Sequence, residues 1–193
     1  ETFTAHVAPA LNEPVYQDHW ISNWEKIARR FKGHPAVWGY DLINEPVQNA
    51  PSPAGVADYL GAQVRAAKAI RKIDADTPVI IEAAEWDSAA GFKDLEPVDI
   101  PKVIYQVHMY VPGEFTHQGV NGPWKPVTYP GEIRGQDWNK EQIRKTLQPA
   151  RDFQLAYNVH IYAGEFSAAR WAPGAADYIK DAIGIFEEYG WDW

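Results

Sequence analysis

The chain contains no cysteine among its 193 residues. Disulfides and thiolate chemistry are therefore excluded, and the redox compartment cannot be read from this residue type. Positive charge is scarce. Eighteen Lys and Arg stand against 26 Asp and Glu, a formal net charge of -8. A phosphate backbone calls for clustered basic residues, so nucleic acid is not an expected partner, and an anionic membrane surface is disfavoured for the same reason. No apolar run is long enough to span a bilayer. The first residues, Glu1-Thr2-Phe3-Thr4, offer neither the basic nor the apolar segment of a signal peptide. Motifs are missing too. No Gly-rich phosphate loop follows an apolar run, no His-Glu-x-x-His occurs, no two of the six His stand four apart, and there is no Gly-x-Ser-x-Gly elbow. Nucleotide binding, zincin-type metal chemistry and a serine hydrolase all lose their usual carriers. Neither a metal nor a cofactor is expected. The acidic run Asp94, Glu96 and Asp99 reads as a solvated loop rather than a Ca²⁺ site.

Aromatic residues, by contrast, are abundant. Some of the nine Trp and ten Tyr must fill the core, and an aromatic-rich core is the alternative to a binding role. Their flat apolar faces and polar edges suit stacking against the C–H faces of sugar rings.

Periodicity outlines the architecture. Asp18 to Phe31 reads as an amphipathic helix ending at Gly33. Val37 to Ile43 follows as a buried strand, Ala54 to Ile73 as a helix with Tyr59, Leu60, Val64, Ala67 and Ile70 on one face, and Pro78 to Ala83 as a second strand. Val103 to His108 is a third strand, and a long loop covers about Val111 to Asp137. Trp138 to Tyr157 is a helix, His160 to Ala163 a strand, and Ala175 to Tyr189 a helix. Short buried strands alternating with helices indicate an α/β fold with a parallel sheet, here part of a (β/α)₈ TIM barrel. With no internal repeat or linker, residues 1–193 read as one domain. Only four clear strands fit, with Trp191-Asp192-Trp193 starting a fifth.

Two glutamates carry the chemistry. Asn44-Glu45-Pro46 stands at the C-terminal end of the first strand and Gly164-Glu165-Phe166 at the end of the fourth. Barrel active sites gather at that end, and an unpaired carboxyl after an apolar run is expensive to desolvate. Two carboxyl groups across a cleft suffice for glycoside hydrolysis, about 5–5.5 Å apart in the retaining form.

The segment Trp38-Gly39-Tyr40-Asp41-Leu42-Ile43-Asn44-Glu45-Pro46 resembles the signature of glycoside hydrolase family 5, the large cellulase family. His108-Met109-Tyr110 and Gly164-Glu165-Phe166 continue the resemblance in the same order, over about Asp18 to Trp193. It implies Glu45 as general acid/base and Glu165 as nucleophile. Asn44, His108 and Tyr110 would bind substrate, with Tyr110 also bonded to Glu165. Trp86 and Trp193 would floor sugar subsites, as Trp124, Trp171 and Trp191 could, whereas Trp20, Trp24 and Trp38 fit the helix–sheet core. The resemblance implies a secreted endo-β-1,4-glucanase acting on β-linked polysaccharide or oligosaccharide by double displacement. A β-mannanase, another β-glycanase, and a catalytically inert carbohydrate-binding half barrel are the alternatives.

The family's motif closes its fourth strand, yet here it comes 44 residues in. The chain thus corresponds to roughly strands 4 to 7 plus the start of strand 8. The first three strands, and an Arg that the family carries near the nucleophile, have no counterpart. Open strand edges recruit other strands, and inward residues such as Val37, Gly39, Ile80 and Tyr105 would face water. The expectation is a homodimer through the open edges.

Overall fold

The computed structural model describes residues 12–48, 50–120 and 125–193. Its elements alternate as expected: α1 (Pro14–Phe31), β1 (Tyr40–Asp41), α2 (Tyr59–Arg71), β2 (Val79–Glu82), β3 (Val103–Met109), α3 (Gly113–Thr116), β4 (Gly131–Ile133), β5 (Gln136–Trp138), α4 (Lys140–Tyr157), β6 (His160–Phe166) and α5 (Ala175–Tyr189). A 3₁₀ turn, Ala89–Phe92, follows β2. The strand order is β1-β2-β3-β6, and β4 with β5 forms a separate hairpin. Among the described residues no helix is long and apolar enough to cross a membrane.

Two compact units share β3. The first holds the described residues up to Asp87 together with Asp94–Gln106, and the second holds Ser88–Lys93 and Val107–Trp193. In the first unit, parallel pairing sets Tyr40 beside Val79, Val79 beside Val103, and Glu82 beside Gln106. Helix α2 starts where the Asp58 carboxylate accepts from Gly61 N–H at 2.6 Å, a side-chain cap on an orphan donor. The helix buries Ala62, Gln63, Ala66, Ala67 and Ile70. Leu60 and Val64, expected on this face, are only half-buried. The small alanines allow a close approach that bulkier side chains would prevent. Arg71 donates to the carbonyls of Thr77 at 2.6 Å and of Pro101 and Lys102 at 3.0 Å, tying the end of α2 to the turns before β2 and β3.

Several expectations change here. The strand expected over Val37 to Ile43 shrinks to two paired residues, and Trp38, placed in the core from sequence, is 50% exposed. Only Tyr40 and Asp41 pair with β2, and Trp38 lies in the unpaired approach to them. Trp20 does pack against the buried Ile43 and Ala62, and Trp24 meets Tyr40 edge-on at 6.3 Å. Ile80 and Tyr105, expected to face water, are 4% and 2% exposed. The Val98 N–H donates to the Tyr105 hydroxyl at 2.7 Å, so the segment before β3 covers that ring.

In the second unit, α4 begins where Asn139 accepts from Gln142 N–H at 3.1 Å and buries Ile143, Leu147, Ala150 and Phe153. Helix α5 begins after Gly174 at φ +88, where an added Cβ would lie 1.7 Å from the Tyr129 carbonyl oxygen. Only glycine fits there. Helix α5 ends at Gly190, a left-handed cap. Beyond it Asp192 bridges Tyr162 in parallel, with Ala163 N–H donating to Asp192 O at 2.8 Å. The chain thus starts a further strand beside β6, as the sequence suggested. The stretch read as a long loop contains α3 and the hairpin β4–β5.

Candidate active site

In the first unit the site begins where β1 gives way to Asn44 and Glu45. Leu42 and Ile43 are buried, and the Trp24 indole donates to Leu42 O at 3.2 Å, which anchors the turn. Asn44 is exposed and Glu45 half-buried. Glu45 takes a left-handed backbone, φ +49, a conformation that costs a side-chain-bearing residue free energy. Its N–H donates to Glu82 Oε2 at 2.5 Å. A groove of about 480 Å³ opens beside this turn, lined by Trp20, Trp24, Asp41 and Asn44 among others.

Glu82 is fully buried at the end of β2. Gln63, from α2, brackets its backbone, accepting from Glu82 N–H at 3.0 Å and donating to Glu82 O at 2.9 Å. Gln106, from β3, donates to Glu82 Oε1 at 2.7 Å and to Asp41 Oδ2 at 3.1 Å. Burial, then the Asp41 carboxylate, pushes the Glu82 carboxyl up to about 9, against the pull of the Glu45 N–H. The Glu82 carboxyl group is also hydrogen-bonded to that of Asp41. Asp87, also fully buried, accepts from Ala83 N–H at 2.7 Å. Burial first and Glu82 second raise its carboxyl well above the ordinary range.

Between these carboxyl groups the chain makes an unusual turn. Glu85, Trp86 and Asp87 all have positive φ, at +61, +57 and +52. Asp87 turns inward while the Trp86 ring stands 52% exposed.

In the second unit, His108 lies next to the last residue of β3, buried at 2% exposure, with Tyr110 half-buried just beyond the strand. Glu165 lies inside the last turn of pairing of β6 rather than after it, with 41% of its side chain exposed. The Tyr110 hydroxyl donates to Glu165 Oε2 at 3.2 Å. His108 Nδ1 lies 3.9 Å from the same oxygen, an ion pair when the imidazole is protonated. Tyr110 is itself held, because the Thr116 hydroxyl donates to Tyr110 O at 2.6 Å and the ring tilts against His117 at 5.1 Å.

The structure brings His108, Tyr110 and Glu165 together within the second unit, and Asn44 and Glu45 together within the first, where Trp86 follows β2. Trp193 is 52% exposed, its indole donating to Glu187 Oε1 at 2.8 Å. Trp191 is a packing residue, 4% exposed and stacked on Phe186 at 6.0 Å. Trp171 is 51% exposed with its indole N–H on Gln118 O. Trp124 lies outside the described residues. Sequence reasoning missed Glu82, Asp87, Asp41 and Gln106. A signal existed: Glu82 interrupts an apolar strand as Glu45 follows one.

Comparisons with known proteins agree on one family. The model described as Cellulase (glycosyl hydrolase family 5) matches residues 6–193. Endoglucanase C of Acetivibrio thermocellus is 26% identical over 208 residues, covering 93% of this chain and 59% of that enzyme. A solved hyperthermophilic endo-β-1,4-glucanase in complex with substrate superposes with a TM-score of 0.80 at 28% identity, over 97% of this chain and 62% of the other. A Thermotoga maritima Cel5A structure with mannotriose does so with a TM-score of 0.77 at 25% identity, over 97% and 61%. The fold is thus a portion of a (β/α)₈ barrel, and the chain spans about three-fifths of the relatives it matches.

Proposed function

Because the chain belongs to glycosyl hydrolase family 5, the cellulase family, we propose that it carries the catalytic glutamates of a retaining β-glycosidase, with a β-1,4-glucan as substrate. The observation that carries the reading is Glu165 at the end of β6, hydrogen-bonded by Tyr110 and flanked by His108. The hydroxyl donor and the adjacent imidazole hold the carboxyl group in one orientation, as attack on a sugar carbon requires. Glu165 attacks the anomeric carbon and displaces the leaving oxygen, which takes a proton from Glu45. A glycosyl ester results. Glu45, now a carboxylate, then takes a proton from water, and the resulting hydroxide equivalent cleaves the ester with retention. Asn44, exposed beside Glu45, donates its amide to the sugar 2-OH. Trp86 and Trp193 offer exposed rings for stacking.

A 2-deoxy-2-fluoro-β-cellobioside with a dinitrophenyl leaving group tests this. Peptide mass spectrometry is expected to find the fluoro-sugar on Glu165. Label on another residue, or a fully folded chain that takes none, would overturn the assignment and favour an inert carbohydrate-binding protein. The mannotriose complex of the Thermotoga protein supports a β-mannan as the second substrate, and parallel turnover of cellohexaose and mannohexaose decides between them.

The partner in this reading, besides the glycan, is a second copy of the chain. Among the described residues strand β1 stands at the end of the sheet order with Trp38 exposed before it, and edge strands favour pairing. Light scattering giving one chain mass at micromolar concentration would remove the dimer.

A further inference from the structure

Glu82 is a fully buried carboxyl group beside the proposed acid/base, and its two oxygens do different work. One accepts from the Glu45 N–H and the other from the Gln106 side chain. We propose that Glu82 is a positioning residue for Glu45, its buried carboxyl fixing the Glu45 backbone and so aiming the carboxyl group that exchanges protons with the glycosidic oxygen. This rests on the acid/base reading of Glu45.

The geometry requires some such support. Glu45 sits at φ +49, where a side-chain-bearing residue stays only if its surroundings over-determine it. The directional constraint on its N–H is the bond to Glu82. Glu82 is in turn held from three elements: Gln63 of α2 on its backbone, Gln106 of β3 on Oε1, and Asp41 of β1 on its carboxyl group. An acceptor fixed on three sides transmits its position to what it binds. A leucine would fill the space without the desolvation cost of a carboxyl, but it offers no acceptor to the Glu45 N–H.

Amide exchange and kinetics test it together. Glu82→Leu keeps the volume and removes the acceptor. The Glu45 amide should then exchange at least about 10-fold faster, as an opened hydrogen bond allows. In the same variant, kcat on cellohexaose should fall about 10- to 100-fold at unchanged KM, the mark of a misplaced proton donor. Glycosylation by dinitrophenyl cellobioside, whose leaving group needs no proton, should change by less than about 3-fold. Glu82→Gln, which keeps a carbonyl acceptor, should recover most of both effects once Gln106 turns its amide. Unchanged Glu45 exchange in folded Glu82→Leu would overturn the proposal, as would faster exchange with undiminished kcat. If Glu82→Leu fails to fold, the wild type still decides. A Glu45 amide that exchanges like an open loop amide would refute the bond, and one that is protected and loses protection in Glu82→Gln only partially would uphold it. Failure of the acid/base reading shows separately, as undiminished cellohexaose turnover in Glu45→Gln.

Discussion

The Tyr110 hydroxyl reaches Glu165 Oε2 at 3.2 Å, from the residue just past one strand end to the end of the other strand. This bond fixes the orientation of the Glu165 carboxyl group. Tyr110→Phe removes it with little change of volume. The expected outcome is a rate of Glu165 trapping by the fluoro-sugar reduced about 10-fold, since a hydrogen bond to a charged group is worth about 1.5–3 kcal/mol. Affinity for the reagent should be nearly unchanged. An unaltered trapping rate would mean that Tyr110 does not tune the nucleophile.

Trp191 and Trp193 alternate across the extended end of the chain. Trp191 stacks on Phe186 and its indole donates to Gln154 Oε1 at 2.6 Å. Trp193 meets Phe166 edge-on at 6.0 Å and stays half in solvent. Trp191→Ala is expected to cost about 3–5 kcal/mol in urea unfolding, the usual loss for a buried Trp. Trp193→Ala should cost less than about 1 kcal/mol. Its effect should fall on cellooligosaccharide binding, weakened about 10-fold as a stacking platform of about 1.4 kcal/mol is lost.

Trp86 combines strain with exposure. At φ +57 between two other positive-φ residues, it occupies a conformation that glycine adopts without penalty. Trp86→Gly should therefore be neutral or stabilising, by up to about 1 kcal/mol in thermal unfolding. Oligosaccharide affinity should drop at the same time. Destabilisation with unchanged affinity would make Trp86 a packing residue.

The periodic parts of the fold were legible. Helix α5 occupies the expected Ala175–Tyr189 because apolar spacing and two flanking glycines agree. The glutamates were legible as carboxyl groups placed against apolar runs. Three features were not. The hairpin β4–β5 turns through Arg134 and Gly135, both at positive φ, and Arg lacks the Asn-Gly or Asp-Gly signal such turns usually carry. Trp38 reads as core by hydrophobicity, but β1 pairs over only two residues, and this residue falls outside the pairing. Glu82 interrupts an apolar strand, but a run buried on both faces does not show in sequence what such a carboxyl binds. What marks it is three-dimensional: Gln63 and Gln106 arrive from different elements to bind it.

Asp74 anchors the turn before β2 and should govern acid stability. It is buried and accepts from Thr77 N–H at 3.0 Å, Thr77 Oγ1 at 2.7 Å, Asp76 N–H at 3.0 Å and the Tyr40 hydroxyl at 2.9 Å. Burial alone would raise its carboxyl, but the Thr77 backbone and hydroxyl, then Asp76 and Tyr40, outweigh it and hold Asp74 far below the usual range. A depressed folded-state pKa contributes stability above the unfolded value, lost as pH falls below it. Asp74→Ala should therefore cost about 3 kcal/mol at pH 7. The loss should shrink as pH falls below about 4, the unfolded Asp value. A loss independent of pH would mean that volume, not charge, matters at this position.

Glu82 reverses the sign. Its carboxyl is raised by burial and by Asp41, so the folded chain keeps a proton that the unfolded chain releases above about pH 4.3. Below that value both states are protonated and no penalty exists. As pH rises above it, the unfolded state binds fewer protons, and stability must fall until the folded-state carboxyl ionises too. Asp87, raised by burial and by Glu82, adds to the same slope. Asp74 acts with the opposite sign, its contribution being lost as pH falls below about 4. Glu82→Gln carries no titrating proton. Relative to wild type its stability should therefore improve steadily between pH 5 and pH 8, measured as urea midpoints at constant slope. A difference between the two proteins that stays flat over that range would mean that Glu82 is ionised in the folded chain, and the neutral carboxyl beneath Glu45 would have to be abandoned.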